Sequence, residues 1–257
     1  PIEGLHTETG PGVYEAAIAH SEALEAADRA TLFKTAVKEL AYRHGCMATF
    51  MAKWNAKLPG SGGHIHLSLW ENERNVFHDE ADPARMSPIF RSFLAGQLRA
   101  LPEILPLFAP NVNSYKRLVD GYWSPTKATW GVDNRTVAFR VIAGSAKSTR
   151  VEVRIGGADI NPYLAVAAAI ASGLYGIEQK LELTDKPVKG SAYQESSVPR
   201  LTRTLQEATE RLAGSKLARE LFGEEFVDHF VRTRRWEWSQ FQDAVTDWEL
   251  KRYFEII

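Results

Sequence analysis

The chain holds a single cysteine, Cys46, so no internal disulfide framework can form, which fits a reducing, cytoplasmic compartment. Cys46 opens an apolar run to Trp54 that reads as a strand, with the thiol as a small buried hydrophobe rather than a nucleophile. Neither sign of charge dominates. With 31 basic residues against 32 acidic ones, there is no global attraction to nucleic acid or to a membrane surface. Long hydrophobic runs are also missing. The longest uncharged stretch, Ile160 to Ile177, carries Asn161, Pro162, Ser172 and two glycines, and reads as a buried core helix rather than a membrane span. The first residues do not read as a signal peptide, and no internal repeat, low-complexity tract or domain linker is evident in the sequence. It starts at Pro1 rather than Met, as a piece of something longer would. What remains is 257 residues, enough for one large domain or two modest ones with a sizeable core.

The stretch Arg150-Val151-Glu152-Val153-Arg154 organises the rest. Side chains alternate along a strand, so Arg150, Glu152 and Arg154 share one face while Val151, Val153 and Ile155 form a core face. Two guanidiniums around one carboxylate are costly to bury unless closely paired or joined by an ion. A metal for Glu152 and anions for the arginines would answer that cost; a solvated or self-paired strand face is the plainer alternative.

Other stretches point the same way. Glu8 and Glu15 flank a Gly-Pro-Gly turn that can aim both carboxylates at one point, an arrangement suited to a divalent cation. Asp28 reads as the cap of a helix running to His44, with Leu32, Phe33, Ala36, Val37, Leu40 and Ala41 as its packing stripe. After the turn Gly60-Ser-Gly-Gly, His64, His66 and Ser68 share one strand face, where imidazole serves as a metal ligand or a phosphate partner. Residues 71–85 read as a turn or hairpin and Met86 to Leu101 as a helix, with Pro102, Pro106 and Pro110 punctuating the stretch after it. Asn111 to Pro125 reads as a loop. Val137, Phe139 and Val141 alternate inward, with Arg140 facing the other side and Arg135 at the strand entrance. Arg117, Arg135, Arg140, Arg150 and Arg154 thus gather on segments read as strands or loops, where planar guanidiniums grip phosphate and carboxylate. From Leu201 onward the chain reads as amphipathic helices, the last capped by Thr246-Asp-Trp-Glu249. The mixed charges of the aromatic-rich stretch from Phe226 to Phe254 favour helix packing over nucleic-acid stacking.

In this order, the motifs resemble the catalytic domain of the glutamine synthetase family, from about Glu3 to Ile256. The resemblance implies an α+β fold, a curved antiparallel sheet backed by helices with the charged groups on its concave face. It places first-metal ligands at Glu8 and Glu15, and second-metal ligands at His64 and Glu152. His66 and Ser68 fall toward the nucleotide, with Glu3 near it. Gly60 lies in the histidine motif, Arg117 and Arg154 would hold substrate glutamate, and Arg135, Arg140 and Arg150 would grip ATP phosphates and the transferred phosphoryl group. The implied cofactors are ATP and Mg2+ or Mn2+. Metals bridge the phosphates while ATP phosphorylates the glutamate side chain, and an amine then displaces phosphate to give an amide.

Two departures stand out. True glutamine synthetases of the family carry a glutamate after Lys-Arg-Leu-Val that helps hold ammonium, and here that place is Trp123. Pro59 likewise stands where they commonly have Asn. Both changes resemble the gamma-glutamylpolyamine and gamma-glutamylmonoamine synthetase branch, as does Val-Thr-Asp-Trp-Glu near the C-terminus. The expected acceptor is therefore an organic amine, since an aromatic can stack on an alkylammonium. Ordinary glutamine synthetase and a non-catalytic member of the same fold are the rivals. The family's N-terminal small beta domain and an early metal-binding strand have no match here, so residues 1–257 are expected to be a catalytic domain alone. Homo-oligomers are expected when the N-terminal domain is present, and weak or no turnover without it.

Overall fold

The computed structural model of the protein describes residues 1–256. A hairpin of β1 (Ile2–Thr7) and β2 (Tyr14–Ile18) opens the chain and leads into α1 (Ala23–Arg43). A long irregular segment then reaches β3 (Ile65–Leu67), a small hairpin of β4 (Trp70–Glu71) and β5 (Arg74–Asn75), α2 (Pro88–Ile104) and α3 (Val112–Arg117). Next come β6 (Trp130–Val132), β7 (Phe139–Ile142), β8 (Arg150–Val153) and α4 (Pro162–Glu178). Four helices close the chain: α5 (Leu205–Ala213), α6 (Lys216–Phe222), α7 (Glu224–Asp243) and α8 (Asp247–Tyr253).

The central sheet runs β3-β8-β7-β6. β8 is antiparallel to both β3 and β7, whereas β6 and β7 are parallel across the short stretch 133–138. The sheet is thus antiparallel but for one edge pair. Strand alternation sends Val151, Val153 and Ile155 into the core, each at most 1% exposed, and turns Glu152 to the other side. Helices back the core face. Ser87 caps α2 by accepting from the Phe90 amide, with Pro88 at the first turn, and Asn161 with Pro162 does the same for α4. α2 and α4 touch almost backbone to backbone: a methyl on Gly176 would run into the Ser92 carbonyl oxygen. Beside that contact Phe77 stacks on Phe90 at 4.2 Å between ring centroids, adding aromatic attraction to the buried area.

Several expectations need correction. Cys46 to Trp54 forms no strand, and Cys46 is exposed, because the run finds no ladder partner for its backbone. The first long helix begins at Ala23 with Glu22 before it; Asp28 lies inside it and accepts from the Tyr163 hydroxyl at 2.6 Å. Its expected stripe is not packed, since Leu32 and Leu40 are exposed and Ala27 alone in this helix is buried. Pro102 falls inside α2 instead of ending it. Asn111 to Pro125 is not all loop, because α3 lies within it, capped by a reciprocal Asn111–Ser114 box. Glu15 belongs to a separate two-stranded sheet, and Glu8 follows directly after its first strand. The aromatic-rich C-terminal stretch packs only in part: Phe230 is buried, whereas Trp236, Trp248 and Phe254 are exposed. The capping box at Thr246 and Glu249 forms as the spacing predicts.

Candidate active site

Register builds the centre of the site. On β8, Glu152 lies between His66 of β3 and Arg140 of β7, its Cα partners on either side. Arg154 Nη1 donates to Glu152 Oε1 at 2.6 Å, and Arg140 Nη1 donates to Oε2 at 3.1 Å. His64 Nδ1 stands 3.1 Å from Oε1 and His66 Nε2 3.8 Å from it. The carboxylate is 3% exposed, yet its pKa is driven below the usual range: burial opposes ionisation, and the bond from His64 with the positive charge of Arg154 outweighs it. Partial desolvation likewise lowers the His64 pKa and, although the His66 side chain is 42% exposed, pushes that of His66 down to about 4, which favours neutral imidazoles at physiological pH.

The other arginines are fixed by backbone and neighbours. Arg150 Nε donates to His66 Nδ1 at 3.0 Å and Nη1 to the Ser148 carbonyl at 2.8 Å. Arg140 also reaches Asp133 at 3.1 Å, while its Nε is buried without a partner among the described residues. Arg154 Nε donates to the carbonyl of Arg135 at 3.1 Å, which ties the exposed loop residue Arg135 to the sheet. Arg117, the last residue of α3, is buried with its two Nη groups donating to the Ile155 and Arg154 carbonyls at 3.0 and 3.2 Å. Burial, with Arg154 beside it, pushes this guanidinium down to about 10. Gly60 packs on Arg117: a methyl there would run into the Ala52 carbonyl oxygen and lie 2.9 Å from Arg117 Cγ. Ser68 donates nothing to the cluster; its Oγ accepts from Trp70 Nε1 at 2.9 Å. Glu3 sits exposed on β1.

The first hairpin makes a second centre. His6 pairs across from Glu15, and the side chains of His6, Glu8 and Glu15 each bring one ligand atom within 4.8 Å of the others. The Glu15 pKa is raised by burial, then by the bond and charge of Glu8, and more weakly by the charge of Glu152. Paired carboxylates and an imidazole make a donor set that suits a hard divalent cation. His6 escaped the sequence reading. The signal was there, since His6 stands two residues before Glu8, a spacing that alternation would send to one side.

Sequence reasoning also missed Lys53 and Tyr193. Lys53 is buried, donates from Nζ to the Leu58 carbonyl at 2.5 Å, and stands 4.2 Å from the ring centroid of Tyr122. The Tyr122 hydroxyl donates to the Lys57 carbonyl at 3.3 Å. Those contacts fasten the segment leading to Gly60 onto the loop that carries Trp123. Trp123 itself is 56% exposed, with a left-handed backbone at φ 58°. It lines a cavity of about 720 Å³ together with Arg135, Asn134, Val188 and Tyr193. The sheet cluster and this cavity are joined through Arg135.

The geometry sits on a chain whose likeness to known proteins is extensive. The family profile "Glutamine synthetase, catalytic domain" matches residues 1–253. "Type-1 glutamine synthetase 2" of Dictyostelium discoideum is 60% identical over all of this chain and 50% of its own length. "Glutamate--isopropylamine ligase" of a Pseudomonas species is 44% identical over all of this chain and 56% of its own. Among solved structures, one described as a GmaS/ADP complex superimposes with a TM-score of 0.89 at 33% identity, covering 98% of this chain and 60% of that one. The chain thus spans about half the length of the curated relatives it matches. No helix among the described residues is long and apolar enough to cross a membrane. Both glutamate–amine ligation and glutamine synthesis appear among the names of these relatives, and the chain belongs to the glutamine synthetase family.

Proposed function

We propose that the protein carrying this chain is an ATP-dependent ligase that phosphorylates the gamma-carboxylate of glutamate and transfers the gamma-glutamyl group to an organic amine. Residues 1–257 would serve as its catalytic domain, and the products would be a gamma-glutamyl amide, ADP and phosphate. In this reading Arg117 and Arg154 bind glutamate, and Arg140 and Arg150 hold ATP phosphates, with His66, Ser68 and Glu3 toward the nucleotide. Arg135 stabilises charge on the phosphoryl group in flight. A divalent cation, Mg2+ or Mn2+, would be held by Glu8 and Glu15 with His6, and a second by His64 and Glu152. When bound, such cations supply charge neutralisation at the phosphates. Homo-oligomers belong to the same proposal.

Trp123 carries the choice of acceptor. The family resemblance places an ammonium-holding glutamate there, and this chain presents an exposed indole on the wall of the Arg135 cavity. An indole face attracts an alkylammonium and gives a small hydrated cation little. The name of the Dictyostelium relative favours a second reading, ordinary glutamine synthesis. Phosphate release from Mg-ATP and glutamate, with ammonium, ethylamine, putrescine or spermidine, tests both on this chain and on a longer parent protein. Turnover with an amine but not ammonium is expected of the longer form, and little from the chain alone. A preference for ammonium selects the second reading. Silence with every acceptor, without metal binding by calorimetry, would leave a non-catalytic member of the fold.

A further inference from the structure

Arg117 ends a helix of only six residues, so its place depends on what holds the other end of α3. A helix this short is not stable alone and leans on partners outside itself. At its first turn the reciprocal box of Asn111 and Ser114 meets a single carboxylate oxygen. Asp159 Oδ2 accepts from Ser114 Oγ at 2.6 Å and from Asn111 Nδ2 at 3.0 Å. The Asn111 backbone amide donates to the same Ser114 Oγ at 3.0 Å, which commits the one hydroxyl proton to Asp159. With Nδ2 committed too, the Asn111 side-chain oxygen is turned to the Ser114 amide. One carboxylate thereby sets the direction of both bonds in the box.

The backbone around Asp159 is itself fixed. Lys34 Nζ reaches from α1 to the Ala158 and Ile160 carbonyls at 2.9 Å each, and the Ala158 amide donates to the Ser61 carbonyl at 2.9 Å. A few residues earlier, the Arg154 and Ile155 carbonyls receive the Arg117 guanidinium. Residues 154–160 therefore grip α3 at both ends. About 9 Å of helix separates the two holds and carries a shift at one end to the other. Arg117 in turn lies under the glycine turn: Gly60 packs on its stem, and a methyl on Gly62 would lie 3.1 Å from its Nη2.

We propose that Asp159 is a positioning residue for glutamate binding. Through the Asn111–Ser114 box it holds α3, and with it Arg117, in register with the turn Gly60–Gly62. It acts on the substrate only through Arg117. The inference rests on the ligase reading and on its placement of glutamate at Arg117.

Asp159→Ala in the full-length protein tests it, with initial rates measured while glutamate, ATP and the acceptor are varied in turn. The glutamate KM is expected to rise about tenfold, the worth of a hydrogen bond to a charged group, with the other two KM values unchanged. Asp159→Asn keeps an acceptor oxygen for the box and should restore most of that loss. In an Arg117→Lys background, Asp159→Ala should raise the glutamate KM no further, since both changes act through one group. An unchanged glutamate KM in Asp159→Ala, or effects that simply multiply in the double variant, overturns the proposal. So does a lowered Tm with all three KM values rising together, which marks a structural role. If Asp159→Ala does not fold, Ser114→Ala, which removes one of the two bonds, is read by the same criteria. A glutamate KM unmoved by Arg117→Lys overturns the placement of glutamate and this inference with it. A wild-type protein silent with every acceptor overturns the ligase reading and this inference together, and that arm is read first.

Discussion

The sheet side of the site and the cavity side are built differently. On the sheet, Glu152 takes His64 and Arg154 on one oxygen and Arg140 on the other. At the cavity, Trp123 stands exposed on a left-handed turn, beside Arg135 and Tyr193. Strand register fixes the first set before any ligand arrives. Loops set out the second. Under the ligase proposal, phosphate chemistry would belong to the rigid part, and recognition of a variable acceptor to residues that can change without unsettling the core.

Removing the carboxylate tests that contrast hardest. Glu152→Ala leaves Arg154 buried without a carboxylate, while the half-buried Arg140 keeps Asp133, and should cost about 3–5 kcal/mol in urea unfolding. A loss below about 1 kcal/mol, the range of an exposed ion pair, would break the comparison. Gly60→Ala comes next. Its methyl would meet the Ala52 carbonyl oxygen and Arg117 Cγ, so about 1–3 kcal/mol of destabilisation is expected, read from the denaturation midpoint.

A smaller effect should follow pH in the metal-free protein. His66 and His64 have folded pKa values below 6.5, so between pH 6.5 and about 4 the unfolded chain binds protons that the folded one does not. Stability should fall as pH drops through that window. Glu152, depressed below 4.5, contributes above that pH and loses its contribution as pH falls toward its lower folded value, in the same direction. Thermal melts from pH 8 to 4 check the slope; a flat profile would mean that the folded site does not disfavour protonated imidazoles. Smallest is Trp123→Ala, expected to move stability by no more than about 0.5 kcal/mol while weakening amine binding. A Tm drop as large as that of Gly60→Ala would place Trp123 with the rigid half instead.

Period-two alternation made the sheet legible. Arg150, Glu152 and Arg154 could be set on one face from spacing alone, and Val151, Val153 and Ile155 do fill the core. Long-range pairing could not be read so. Nothing in the Cys46–Trp54 run reveals that its backbone lacks a ladder partner, and nothing in the order of strands reveals that β6 and β7 run parallel. Asp28 has the chemistry of a cap, yet the helix starts earlier because Ala23 to Ala27 already favour it and no breaker intervenes. At the candidate site, charged motifs announced themselves through density. Tyr193 did not, since a lone tyrosine among polar neighbours gains meaning only when a cavity is seen beside it.

Lys53, lodged under Tyr122 and bonded to Leu58, has a consequence for anyone who would transplant acceptor preference between relatives. The turn bearing Trp123 and the glycine segment share one anchor, so they are a single exchangeable cassette rather than two. Grafting 118–125 alone would import a tyrosine with no cation beneath it, or strand a buried ammonium below a foreign side chain. Moving 52–60 together with it should preserve both, and libraries built on that pairing should yield more folded chimeras than libraries that cut between them.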